Sequence, residues 1–277
     1  ILNGGAGVDT ANYSLDHIFG SGGIDVDLTL GITIDGWGDT DTLISIENVR
    51  GTTSDDVIIG DNGNNFLLGN SGDDILFGGL GNDNINGGNG NDKISGGDGD
   101  DSLHGQLGAD EFDGGDGFDH IGFHDVNGIS IDLVAGTAID GDGSINLFSN
   151  IESFSGSDAE DTYLGDGGDF NVFHGDGGND TIIAGSGESS FLRGGSGDDY
   201  IDGGDGSWDF AAYTESTEGV QVDLNLQGVG QFTSSNTGID TLIGIEGLRG
   251  SEFGDNLVGD GNRNALIGIG GNDTLIG

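Results

Sequence analysis

The chain has 277 residues: 62 Gly, 50 Asp or Glu, 5 Lys or Arg and no Pro, Cys or Met, with a formal net charge of -45 at pH 7. That balance argues against a nucleic-acid partner, whose phosphates need Lys and Arg, and against anionic membrane surfaces; no apolar run is long enough to span a bilayer, and no disulfide can form. Of the acidic residues 41 are Asp and nine Glu, a bias that solubility does not require and that suggests a geometric role beside a turn.

Self-repulsion on this scale opposes compaction and would suit a disordered acidic tail. The hydrophobic residues, 32% of the chain, are however regularly placed. Ile1-Leu2-Asn3 reads as the closing strand of a repeat whose turn precedes it. With no Met, the expectation is a piece of a longer protein, whose ends continue or stack end to end on a further copy. The turn GGAGVD from Gly4 ends on Asp9. The alternating strand GIDVDL follows from Gly23, and the line DTLISIENVRG runs from Asp41.

Eight consecutive nonapeptides then start at Gly51, Gly60, Gly69, Gly78, Gly87, Gly96, Gly105 and Gly114. Their fourth place is Gly in all but the first. Their sixth place reads Asp56, Asn65, Asp74, Asp83, Asp92, Asp101, Asp110 and Asp119, and their eighth Ile58, Leu67, Leu76, Ile85, Ile94, Leu103, Phe112 and Ile121.

The same order returns twice. GGDGFD from Gly114 leads to GISIDL from Gly128 and NLFSNIESFSG from Asn146. GGDGSWD from Gly203 leads to GVQVDL from Gly219 and DTLIGIEGLRG from Asp240. In the second block GDGGDFNVFH and AGSGESSFLR each carry an extra residue. They set Asn171 and Ser190, or in the other register Phe170 and Ser189, where Asp is expected. Its best turns end at Asp180 and Asp199. The third block ends in nonapeptides with Asp255, Asn264 and Asp273 at the sixth place.

Glycines at the first and fourth places allow conformations closed to other residues, so six residues make a turn and three a short strand whose middle residue points inward. One unit cannot bury that residue alone, whereas stacked units can. Two nonapeptides close a coil of 18 residues, and coils lie about 4.8 Å apart. Asp83 then lies over Asp101 and Asp74 over Asp92. Such carboxylate columns repel unless a hard divalent cation sits between coils, its oxygen shell completed by turn carbonyls. The fold expected is all-β, a parallel β-roll or β-solenoid. It forms one elongated domain over 1–277, in blocks 1–113, 114–202 and 203–277.

GGLGNDNIN, GGNGNDKIS and GGDGDDSLH resemble the G-G-x-G-x-D-x-U-x nonapeptide of the RTX, or haemolysin-type, calcium-binding repeats. The alternation of arrays with longer segments is similar to the C-terminal regions of serralysin-type proteases and to repeat modules of secreted alginate epimerases. The resemblance implies several Ca2+ ions bound in the turns and folding triggered by calcium after type I export, hence a secreted or cell-surface location. Carried over, the ligands are Asp9, Asp56, Asn65, Asp74, Asp83, Asp92, Asp101, Asp110, Asp119, Asp180, Asp199, Asp255, Asn264 and Asp273. Turn carbonyls such as those of Gly79, Gly81, Gly88, Gly90, Gly97 and Gly99 join them. Asn65 and Asn264, lacking a charge, are expected to make weaker sites.

Other readings carry less. The pairs Asp73–Asp74 and Asp100–Asp101 recur without forming a unique pocket, so no catalytic role is assigned. His120 and His124 lack the Glu of a zinc-protease motif and read as surface or packing residues. No G-K-[ST] follows the Gly-rich runs, so none reads as a phosphate loop. Trp37, Trp208, Tyr13 and Tyr213 suit either a sugar platform or packing. The expectation is a structural calcium-binding module of a larger secreted protein, not an enzyme. The alternatives are a polysaccharide-binding module, using the long segments 12–50, 123–155 and 210–249, and a segment of a giant adhesin or filament.

Overall fold

A computed structural model describes residues 1–15, 22–124, 127–168, 170–187 and 189–277. These form two compact units, residues 1–125 with 143–152, and residues 126–142 with 153–277. Both are built from β-strands, and the one helical piece among the described residues is a 3-10 turn at Leu224–Leu226.

In the first unit successive nonapeptides alternate between two parallel stacks. One contains Ile75–Leu80, Lys93–Asp98 and Glu111–Asp116; the other contains Phe66–Ser71, Asn84–Asn89 and Ser102–Leu107. Ile94 pairs with Leu76 and Phe112, and Ile85 with Leu67 and Leu103, so each coil advances 18 residues as the repeat requires. All eight eighth-place side chains are at most 2% exposed. Each contributes about 1.5–3 kcal/mol by burial, which sets the inward face.

From Phe66 to Asp116 the strands of the array are six residues long, not three, whereas Val57–Ile59 and His120–Gly122 at its ends keep three. Each six-residue strand continues through the first three places of the next repeat, because parallel pairing persists round the corner, as between Gly79 and Gly97. The roles of the glycines also differ from expectation. The second and fourth places hold the left-handed backbone, as at Gly88 (φ 111) and Gly90 (φ 137). The first place needs space instead: a Cβ on Gly96 would overlap the Asp101 carboxylate and lie 2.6 Å from the Gly114 carbonyl oxygen.

The longer segments are antiparallel excursions rather than loops. Asp25–Asp27, Ile32–Ile34 and Thr40–Ile44 pair in sequence, Asp25 opposite Ile34 and Ile32 opposite Thr42. In the second unit Ile129–Asp132 pairs with Thr137–Asp140, and Gln231–Ser234 with Gly238–Ile243. The first strand of each excursion rejoins the roll in parallel, Asp25 beside Val57, Ser130 beside Thr162 and Gln221 beside Asn256.

The extra residues of the second block are absorbed by wider coils. Tyr163, Ile182 and Ile201 stack in 19-residue steps, as do Phe173 and Leu192. These coils enclose larger side chains, with the rings of Tyr163 and Phe173 at 5.2 Å and those of Phe154 and Phe173 at 5.9 Å. The third block returns to 18, Leu257 beside Leu275.

Candidate metal centre

The sixth-place residues of the array form two hydrogen-bonded columns. The N–H of Asp56 donates to Asp74 Oδ1, that of Asp74 to Asp92, that of Asp92 to Asp110 and that of Asp110 to Asn146, all at 2.7–2.9 Å. The other column runs from Asn65 through Asp83 and Asp101 to Asp119, and ends on Glu152. In the second unit Asp161, Asp180, Asp199 and Asp240 repeat the pattern, and Asp255 donates to Asp273.

One oxygen of each carboxylate is thereby used. The other, Oδ2, is buried without a hydrogen-bond partner in Asp74, Asp83, Asp92, Asp101, Asp119, Asp180, Asp199 and Asp209. Burial is the largest influence on these groups and raises Asp74 and Asp83 to about 7 and Asp180 to about 8, with neighbouring carboxylates adding to the rise. A buried anionic oxygen without a donor is costly, and a divalent cation is the partner that removes the cost. The donor set fits such an ion: hard oxygens, with the Gly72 and Gly81 carbonyl oxygens packed against Gly90 and Gly99 one coil on, where any Cβ would overlap them. Among the described residues no three His, Cys, Asp or Glu side chains converge, so a site must draw on main-chain carbonyls as well as on carboxylates.

Three Asp residues are arranged differently. Asp56 Oδ1 accepts the Ile24 N–H at 2.7 Å and the Thr52 hydroxyl at 2.9 Å, while Oδ2 accepts the Thr52 N–H at 2.6 Å. Asp161 is held in the same way by Ile129 and Ser157, and Asp255 by Val220 and Ser251. Both oxygens are saturated by protein donors, so these carboxylates anchor the first strand of each excursion. Asp56 and Asp255 thus stand apart from the other sequence-assigned ligands.

So do the two Asn. Asn65 Oδ1 accepts the Asp61 N–H and its Nδ2 donates to the Glu47 carbonyl, both at 2.8 Å. Asn264 does the same with Asp260 and Glu246, at 2.8 and 3.5 Å. Their amides serve as structural donors, which a carboxylate cannot do. Asp9 Oδ2 is buried without a partner, and Asp273 is exposed on the final coil. Asp110 lies in its column, bonded as described.

Sequence reading did not assign Asp161, Asp209 or Asp240. Asp161 has a visible signal, since GSDAED from Gly156 is in the frame of GTTSDD from Gly51. Asp209 is displaced by the seven-residue turn GGDGSWD, and Asp240 comes after an excursion. Asn171 and Ser190 do occupy one column, paired with each other and, through Ser190, with Asp209. In the second unit that column therefore has no carboxylate before Asp209, whereas the other, from Asp161 through Asp180 and Asp199 to Asp240, is acidic throughout.

His120 is half-buried, and burial with His104 and His124 nearby lowers it to about 4. His17 lies outside the described residues. Tyr13 and Tyr213 are buried in equivalent places, their N–H groups bonded to the Arg50 and Arg249 carbonyls, so they belong to the core rather than to a platform. Trp37 is exposed, and Arg263 lies over Trp208 at 4.9 Å.

Residues 50–85, 86–121, 155–190 and 174–207 match, in four copies, the family model of the RTX calcium-binding nonapeptide repeat. No curated protein matches the chain.

Proposed function

From a chain that matches the RTX calcium-binding nonapeptide repeat over residues 50–121 and 155–207, we propose a calcium-dependent structural module of a secreted protein, which folds on reaching extracellular calcium and has no catalytic role. The row of buried carboxylate oxygens without protein partners supports this reading most directly. They leave the metal-free coil with desolvated charge that calcium relieves. The ligands are the unpartnered Asp residues with turn carbonyls, not Asp56, Asp161 or Asp255.

Magnitudes suit a switch. A site of Kd ~1 mM, within the range of extracellular modules, adds about 1.4 kcal/mol at ~10 mM calcium. Six independent sites then add about 8 kcal/mol, comparable with the stability of a whole domain. Circular dichroism should show β-structure in calcium and its loss in excess chelator. A spectrum unchanged after exhaustive chelation and dialysis would refute the proposal.

A second reading, a glycan-binding surface, is favoured by one observation. Three of the five basic residues lie by aromatic rings in the second unit. Arg193 and Arg249 lie over Phe191 at 5.3 and 5.7 Å, Phe191 stacks on Phe210, and Arg263 covers Trp208. Aromatic faces of this kind suit the apolar faces of sugars. A polysaccharide array probed in calcium tests it: binding lost in Phe210→Ala supports it, and absence of binding to any glycan refutes it.

A further inference from the structure

In all three blocks the line returning from the excursion carries a Glu at one place: Ile46-Glu47, Ile151-Glu152 and Ile245-Glu246. The three are bound alike. The N–H of Asp9 donates to Glu47 Oε2 at 2.8 Å, that of Asp119 to Glu152 Oε2 at 2.9 Å and that of Asp209 to Glu246 Oε2 at 3.0 Å. Within the columns the same N–H goes to an Asp one coil on, as from Asp101 to Asp119. Glu therefore takes the place of the column Asp where an excursion interrupts the nonapeptide frame.

Each Glu faces an Asp that is itself incomplete. Asp119 and Asp209 are 0% and 1% exposed, and their Oδ2 atoms, like that of Asp9, have no partner. Asp119 Oδ2 lies 2.5 Å from where a Cβ on Gly114 would sit, and a Cβ on Gly206 would overlap Asp209 Oδ2, so glycine keeps both places open. One Glu oxygen is fixed on a main-chain N–H, and its other oxygen belongs to the same carboxylate. In two blocks an Asn one coil on holds the Glu carbonyl. Two carboxylates brought together, one of them desolvated, call for a cation between them.

We propose that Glu47, Glu152 and Glu246 are calcium ligands that close the carboxylate columns at the three excursions, paired with Asp9, Asp119 and Asp209. This rests on the calcium-binding reading above.

Equilibrium dialysis with elemental counting of calcium tests it on Glu47→Gln, Glu152→Gln and Glu246→Gln, singly and together. Gln keeps the acceptor for the Asp N–H, and circular dichroism in saturating calcium checks the fold. At a calcium concentration that just saturates the unsubstituted chain, each variant should lose one ion and the triple variant three. Asp92→Asn should also lose calcium, and Glu111→Gln, at an exposed pair with Lys93, none. Folded Glu variants with an unchanged count, while Asp92→Asn loses calcium, would overturn this inference alone. An unsubstituted chain that binds no calcium would overturn both it and the reading beneath it. A measurement without variants is anomalous scattering from terbium in crystals of the unsubstituted chain. An ion between Asp119 and Glu152 is expected, and its absence beside an occupied Asp83–Asp101 site would count against the proposal.

Discussion

The main-chain N–H of Asp83 donates to Asp101 Oδ1 at 2.8 Å, and the other oxygen of Asp101 is buried with no partner. Asp56 occupies the same place in its repeat with both oxygens saturated. The two kinds of Asp should respond oppositely to calcium. Asp101→Asn should cost about 1.4 kcal/mol at calcium ten times Kd, one ion's contribution, and about 0.4 kcal/mol at calcium equal to Kd. Asp56→Asn turns an amide donor toward main-chain N–H groups and should cost about 1–3 kcal/mol in both conditions. Urea unfolding at the two calcium concentrations compares them. Equal calcium dependence of the two losses would erase the distinction.

Acid should stabilise whatever fold the metal-free chain retains. Burial raises Asp180 to about 8, Asp74 and Asp83 to about 7, and Asp92, Asp119 and Asp199 to about 6. A carboxyl raised above its unfolded value takes up a proton on folding. Its contribution is complete below pH ~3.9 and is lost as pH rises through about 6 to 8. Lower net charge acts in the same direction, so proton release isolates these carboxyls. Calcium-free chain unfolded at pH ~8 should therefore recover β-structure as pH falls toward ~5, and calcium added to that folded chain in weak buffer should liberate protons, because ligands must ionise to bind. Calcium binding to the acid-folded, calcium-free chain with no proton release would contradict the assignment.

The nine-residue period made the roll legible because its two strongest signals, a buried eighth place and a sixth-place carboxylate, both follow from the 18-residue coil. The excursions were less so: the alternation in GIDVDL fits a strand, but its parallel pairing with Val57–Ile59 depends on where the chain returns. The sequence frame also could not separate saturated from unpartnered Asp. That difference lies at the second place, where Thr52, Ser157 and Ser251 supply hydroxyl and N–H donors. The return-line Glu was visible three times, but its meaning required the Asp N–H that it accepts.

The two kinds of glycine should separate by substitution. Gly38 has φ 86 and open space where a Cβ would go, so Gly38→Ala should cost about 1–2 kcal/mol, the left-handed penalty alone, and leave calcium binding intact. In Gly96→Ala the new Cβ overlaps the Asp101 carboxylate and crowds the Gly114 carbonyl. That change should cost about 3 kcal/mol or more, as overpacking does at worst, and remove an ion. Thermal unfolding paired with calcium titration reads both effects. A Gly96→Ala chain with full calcium binding would show that Asp101 does not need the vacant position.

Asn65 gives the sharpest contrast between sequence and structure. By the repeat pattern it is a weakened calcium ligand, so Asn65→Asp should restore a site and stabilise the chain in calcium. Its amide, however, donates to the Glu47 carbonyl at 2.8 Å while its Oδ1 accepts the Asp61 N–H. A carboxylate would set an anionic oxygen against that carbonyl and leave the carbonyl without its donor. Loss of this bond in a largely buried place should cost about 1–3 kcal/mol, and Asn264→Asp should behave alike but more mildly, its bond being longer at 3.5 Å. Unfolding at calcium equal to Kd and at ten times Kd, with calcium counted on the same samples, decides between the two. Asn65→Asp should be destabilised at both and gain no ion; an added ion with a net rise in stability at the higher concentration would restore the pattern-based assignment.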